Sequence, residues 1–67
     1  MTGIVKWYST KAGYGFAVAE EGTEYFVHQT EIRKDGYHFL KRGDIVDFDP
    51  ERNLKGKNRA ANVRLIS

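Results

Sequence analysis

The chain has no cysteine, which excludes disulfide staples, thiolate zinc sites and cysteine nucleophiles together. Packing and hydrogen bonding must hold the fold unaided. Its 67 residues give room for one compact domain, and a domain of this size buries only about 60% of the surface its unfolded chain exposes. A thin core fits; a deep enclosed active site does not, so catalysis is not expected. Long hydrophobic runs are also missing. Residues 1–6 hold no apolar stretch of signal-peptide length, and nothing later approaches the roughly 20 apolar residues of a membrane helix. A soluble, cytoplasmic protein with no membrane partner is the expectation. No segment sustains a 3.6-residue apolar period over a window of about 11 residues, so amphipathic helices are not expected either.

What the sequence does have is aromatic and β-branched residues in short runs, which reads as a mostly-β protein. Strands are expected over residues 4–8, 14–19, 25–29, 45–49 and 60–66. Glu20-Glu21-Gly22-Thr23 is a short polar loop with a glycine, suited to a hairpin between the second and third. The longer connection over residues 30–42 contains the turn signal Asp35-Gly36, with one helical turn near residues 30–33. Pro50 is expected to end the fourth strand, because proline has no donor for a central ladder. Five short strands without paired helices point to a small barrel of the OB or SH3-like type, since closing the sheet removes exposed edges. No repeat, linker or low-complexity tract offers a second module.

Charge is unevenly spread behind a net of +2. Residues 1–30 carry a net −1, whereas from Glu31 onward nine basic residues face six acidic ones. Arg52, Lys55, Lys57, Arg59 and Arg64 stand in a stretch with no acid at all. A basic C-terminal third suggests a polyanionic partner; the plainer reading is charge that keeps a small domain soluble.

Nine aromatic residues in so short a chain either build the core or cover a face. Strand alternation sets Tyr25 and Val27 on one face of the third strand, with Phe26 and His28 on the other, wetter one. Alternation alone would send Tyr14 and Phe16 inward, opposite Gly13, Gly15 and Ala17. The interior decides otherwise: Val5, Ala17, Tyr25, Val27, Ile32, Leu40, Val46, Phe48, Ala61, Val63 and Leu65 already fill a small barrel at ordinary packing density. Adding Trp7, Tyr14, Phe16 and Phe26 would overfill it. Exposed rings at this density suggest use, and stacking on unpaired nucleobases is the use that fits. Lys6 and Lys11, beside the rings in sequence, are candidates for phosphate contact.

Val5-Lys6-Trp7-Tyr8, Gly13-Tyr14-Gly15-Phe16 and Tyr25-Phe26-Val27-His28, followed by Gly36-Tyr37, Leu40-Lys41-Arg42-Gly43 and Ala60-Ala61-Asn62-Val63, together resemble the bacterial cold-shock protein family. The resemblance spans the whole chain. It implies a single cold-shock domain over residues 1–67, folded as an all-β, five-stranded antiparallel OB-fold barrel. It also implies binding of single-stranded RNA and single-stranded DNA, with the protein acting as an RNA chaperone that destabilises weak secondary structure. By matching position, Tyr14 and Phe16 fall in the first ribonucleoprotein motif and Phe26 and His28 in the second; Trp7 and Tyr37 take further aromatic positions, and Lys6 matches a lysine beside the strand. With Lys11, Gln29, Lys57 and Arg59 these make up the candidate nucleic-acid-binding set. The family further implies that Trp7 is exposed although Val5 is buried, which demands a bulge between them.

The chain departs from the family pattern in places. Tyr8, Tyr14 and Tyr37 stand where phenylalanine is usual, Gln29 where an aromatic is common, Ala12 where lysine is frequent and Ala17 where a larger aliphatic is usual. Lys57-Asn58 replaces Gly-Pro, and Lys41-Arg42 stands where acids are common. A glutamine at position 29 implies one stacking platform fewer.

His28 and His38 have no partners at ligand spacing, so neither a metal nor a cofactor is expected. Glu20-Glu21 and the pair Asp47 and Asp49 read as solvating charge. Gly13-Tyr14-Gly15 lacks the Gly-Lys-Ser/Thr ending of a phosphate loop. The alternative function is a small barrel docking an apolar or proline-rich protein segment on the same aromatic patch. A monomer is expected, with a dimer as the alternative.

Overall fold

The computed structural model describes residues 1–32, 40–52 and 56–66. Along them run β1 (Thr2–Ser9), β2 (Tyr14–Ala19), β3 (Glu24–His28), β4 (Ile45–Arg52) and β5 (Asn58–Leu65), with a 3-10 turn at Gln29–Glu31. They close into a barrel in the order β1-β2-β3-β5-β4, the five-stranded OB-type arrangement. Four of the contacts are antiparallel, but β3 and β5 meet in parallel at Phe26 and Arg59. The barrel is the expected five-stranded antiparallel one apart from this single parallel seam, and parity explains the seam. An odd number of strands in a closed ring cannot alternate direction all the way round, so one pair must run the same way.

Strand boundaries follow the ladder rather than propensity. β1 starts earlier than expected because Thr2 pairs with Asp47, and β3 stops at His28 because Gln29 enters the 3-10 turn. Pro50 does not end β4, which continues to Arg52. Pro50 lies beyond the β1–β4 pairs and is matched only with Ala60 of β5, so its missing donor falls on a stretch with one neighbour, where proline is tolerated. The hairpin loop before β3 forms as expected, with Gly22 at φ 95° and its N–H donating to Ala19 O at 2.9 Å. The Asp35-Gly36 turn, Tyr37 and His38 lie outside the described residues.

The core sits inside the ring, and β2 contributes only small residues to it. Gly15, Ala17 and Ala19 point inward and leave the volume to Val5, Val27, Val46, Val63 and Phe48, all at most 1% exposed. Burying a side chain of the size of Phe48 stabilises by about 1.5 to 3 kcal/mol. Its ring meets that of Tyr25 at 5.0 Å, a pairing that adds about 0.5 to 1.5 kcal/mol. Of the core expected from sequence, only Leu65 is partly exposed; Ala19 and Ala60 join it. Asn62, with φ 51°, occupies the left-handed region that asparagine tolerates better than most residues. Its N–H donates to Glu31 Oε1 at 3.2 Å and its side-chain amide to Asp49 Oδ2 at 3.0 Å.

Asp47 is not merely a solvated charge. Arg64 Nη2 donates to its Oδ2 at 2.7 Å, and the Met1 ammonium lies 3.4 Å from Oδ1. The Arg64 hydrogen bond, with help from the ammonium, holds the Asp47 carboxyl below its usual range. A carboxylate depressed on folding contributes stability that is present above its unfolded pKa, about 3.9, and lost as pH falls through the folded value. The contribution of Asp47 to the melting temperature is therefore expected to hold down to about pH 4 and fall below it. In Asp47→Asn the acid-side fall should be shallower; an unchanged acid-side slope would remove Asp47 from the acid response.

Candidate nucleic-acid interface

The outer face of β1, β2 and β3 carries the rings, and a bulge puts the first of them there. Val5 pairs with Ala17, but Trp7, not Lys6, pairs with Phe16. The extra residue in β1 resets alternation, so Val5 is buried while both Lys6 and Trp7 are exposed. The bulge inferred from the family is present. β2 meets β1 closely just past it: a Cβ on Gly15 would lie 2.2 Å from Trp7 O and 2.6 Å from Tyr8 Cα. Only glycine allows this approach.

Cross-strand register then builds the platform. Phe16 pairs with both Trp7 and Phe26, and Phe26 pairs with Arg59, giving a row of three rings and a cation across four strands. Tyr14 pairs with His28 in the next row. Neighbouring rings contact throughout: Trp7–Tyr14 and Tyr14–Phe26 centroids are 5.4 Å apart, Phe16–Phe26 5.8 Å and Phe26–His28 6.2 Å. Trp7 is 45% and Phe16 36% exposed, and Tyr14, Phe26 and His28 are half-buried. These rings lie outside the barrel, against the inward placement that alternation alone gives Tyr14 and Phe16. His28 Nδ1 lies 3.0 Å from the Thr30 hydroxyl and 3.3 Å from the Thr30 N–H, which ties the imidazole to the 3-10 turn.

Tyr14, Phe16 and Phe26 also floor an open groove of about 800 Å³ whose other walls are Glu24, Gly56, Lys57, Asn58 and Arg59. Glu24 was not among the residues expected from sequence, although alternation places it on the same face of β3 as Phe26 and His28. Its carboxylate brings an acceptor to a face otherwise furnished with rings and cations.

The basic residues are less uniform than the sequence suggests. Arg59 is at the groove, yet its Nη2 lies 3.5 Å from Glu31 Oε2, and Arg64 is engaged by Asp47. Lys57 lines the groove. Lys6 is beside Trp7 in sequence but lines a different hollow, with Ile4, Val18 and Ile45. Lys11 is exposed in the turn between β1 and β2. Gln29 is exposed at the His28 end of the platform and seated on that turn: its N–H donates to Gly13 O at 2.9 Å, and its Cδ lies 3.1 Å from where a Gly13 Cβ would be. Tyr37 is outside the described residues. No group of three or more His, Cys, Asp or Glu is placed to hold a metal ion among the described residues.

The 'cold-shock' DNA-binding domain family model matches residues 1–66. The chain is 41% identical over 66 residues to a cold shock-like protein of Thermotoga maritima, covering 98% of each. It is 44% identical over 61 residues to cold shock protein 1 of Lactiplantibacillus plantarum, covering 91% of each. A cold shock-like protein of Aquifex aeolicus is 43% identical over 65 residues, covering 96% of this chain and 91% of the relative. With a barrel and an exposed ring platform already in place, this likeness along almost the whole chain shows that it belongs to the cold-shock DNA-binding domain family, whose members bind nucleic acid and catalyse no reaction.

Proposed function

We propose that this chain binds single-stranded RNA and single-stranded DNA on the Trp7–Tyr14–Phe16–Phe26–His28 platform and acts as an RNA chaperone in the cytoplasm. The observation that carries the reading is the contiguity of these rings outside the barrel, next to Lys57 and Arg59. Each ring offers a flat face to a base, and a base-on-aromatic stack contributes about 1 to 3 kcal/mol with little regard to base identity. Bases in a duplex are already stacked on each other, so the platform selects unpaired strands. By holding bases as they transiently unstack, the protein draws weak hairpins toward the open form through mass action, with no energy source. Lys6, Lys11, Lys57 and Arg59 supply phosphate contacts along the strand.

Trp7 fluorescence titrated with an oligothymidine, and in parallel with a duplex of equal length, tests this. Quenching by the single strand and weak response to the duplex are expected. Affinity should fall with salt at a logarithmic slope of about 0.7 per phosphate contact, and Lys57→Ala should lower the slope by about that amount. A slope of zero, with the rings still binding an apolar peptide, would replace the nucleic-acid reading by a protein-docking one.

A further inference from the structure

A second exposed patch lies on the barrel; it borders the nucleic-acid site at Lys6 but holds none of its rings. Ile4 of β1 pairs directly with Val18 of β2 on one side and Ile45 of β4 on the other. Directly opposed residues of antiparallel strands share a face, so three β-branched aliphatics form an unbroken row across three strands, on the outside. Ile4 is 50% exposed, and Val18 and Ile45 are partly exposed. They line an open hollow of about 630 Å³ that includes none of the platform rings. Outward positions of such strands are ordinarily polar, so an aliphatic row here calls for a cover.

We infer that this face pairs with the same face of a second copy of the chain, forming a weak two-fold dimer. The charges bordering the row identify the occupant. Lys6 follows Ile4 by two residues along β1, and Glu20 follows Val18 by two along β2; because the strands run oppositely, one charge borders each side of the row. Both line the same hollow. A two-fold axis lying along the row of Ile45, Ile4 and Val18 turns the Lys6 side of each copy toward the Glu20 side of the other. The aliphatic rows then meet at the centre, and the two cation–anion contacts form together, as an isologous interface requires. The row and its flanking charges occupy part of a face no more than 30 × 21 Å across, less than the ~800 Å² per partner of a standard interface. The association therefore belongs to the weak, concentration-dependent class.

Sedimentation equilibrium on nucleic-acid-free protein, from about 10 µM to about 2 mM, is expected to show a monomer–dimer equilibrium with a Kd on the order of 1 mM. Ile4→Lys should weaken it at least tenfold, with a melting temperature close to the parent's, since Ile4 is half exposed. Ile4→Thr, which keeps the β-branch, should weaken it in the same direction and guards against a folding defect in the lysine variant. Charge exchange is the sharper arm. Glu20→Lys alone and Lys6→Glu alone should each be monomeric, because each homodimer opposes like charges, whereas an equimolar mixture of the two should dimerise. A monomer at every concentration would overturn the proposal. So would a dimer that Phe16→Ala abolishes and Ile4→Lys leaves intact, which would put the contact on the ring platform, or a charge-exchange mixture that stays monomeric.

Discussion

Gly15→Ala is expected to destabilise the barrel by about 3 kcal/mol or more, at the upper end of what overpacking costs. Stability of about 0.05 to 0.15 kcal/mol per residue leaves a chain this short little margin. The added methyl would sit 2.2 Å from Trp7 O, 2.6 Å from Tyr8 Cα and 2.7 Å from Tyr8 Cδ2. Two of these atoms are backbone and cannot rotate away. Relief would require β1 and β2 to separate from the Trp7–Phe16 pair to the Ser9–Tyr14 pair, which would disturb the bulge that holds Trp7 outward. Gly22→Ala makes the contrast, because Gly22 has φ 95° but nothing within 4 Å of an added Cβ. It should cost only the left-handed penalty of about 1 to 2 kcal/mol. Urea unfolding of the two variants separates steric from conformational cost. A Gly15→Ala loss no larger than that of Gly22→Ala would mean that the close β1–β2 approach is not a constraint on the fold.

Much of this architecture is legible in the residues, for reasons that also mark where legibility stops. The bounds of β2 are plain because small inward residues alternate with large outward ones from Tyr14 to Ala19. Tyr25, Val27, Val46 and Phe48 read as core because their faces follow a period of two. Trp7 does not, since the Val5/Trp7 bulge breaks the period, and only the family pattern carries that information. The end of β4 is misread at Pro50 because the rule against strand proline assumes neighbours on both sides. The parallel β3–β5 seam follows from closure with an odd strand count, a property of the whole ring that no local segment displays. At the site, the rings were legible from interior volume, whereas the commitments of Arg59 to Glu31 and Arg64 to Asp47 join elements distant in sequence. Glu24 was within reach of alternation, and the even spacing Glu24, Phe26, His28 was its signal.

Phe16→Ala and Phe26→Ala are each expected to weaken single-strand binding by about 1 to 3 kcal/mol, the value of one base stack. The barrel should stay folded in both. The rings face each other across β2 and β3 with centroids 5.8 Å apart, and neither belongs to the buried cluster led by Phe48. Their removal takes away contacts among surface rings, each worth about 0.5 to 1.5 kcal/mol, rather than the filling of the interior. Phe48→Ala should behave in the opposite way, losing about 3 to 5 kcal/mol of stability as a core truncation and binding normally in whatever fraction remains folded. Because Phe16 and Phe26 touch, the double variant need not lose the sum of the two single effects. A loss smaller than the sum would show that one ring's stack depends on support from the other. Trp7 fluorescence titration with an oligothymidine, run beside thermal melts of all four variants, makes the distinction. If Phe16→Ala or Phe26→Ala unfolds the protein as Phe48→Ala does, the rings are structural. If both stay folded and bind as tightly as the parent, the strand runs elsewhere on the barrel, and Trp7, Tyr14 and His28 lose their place in the proposed platform as well.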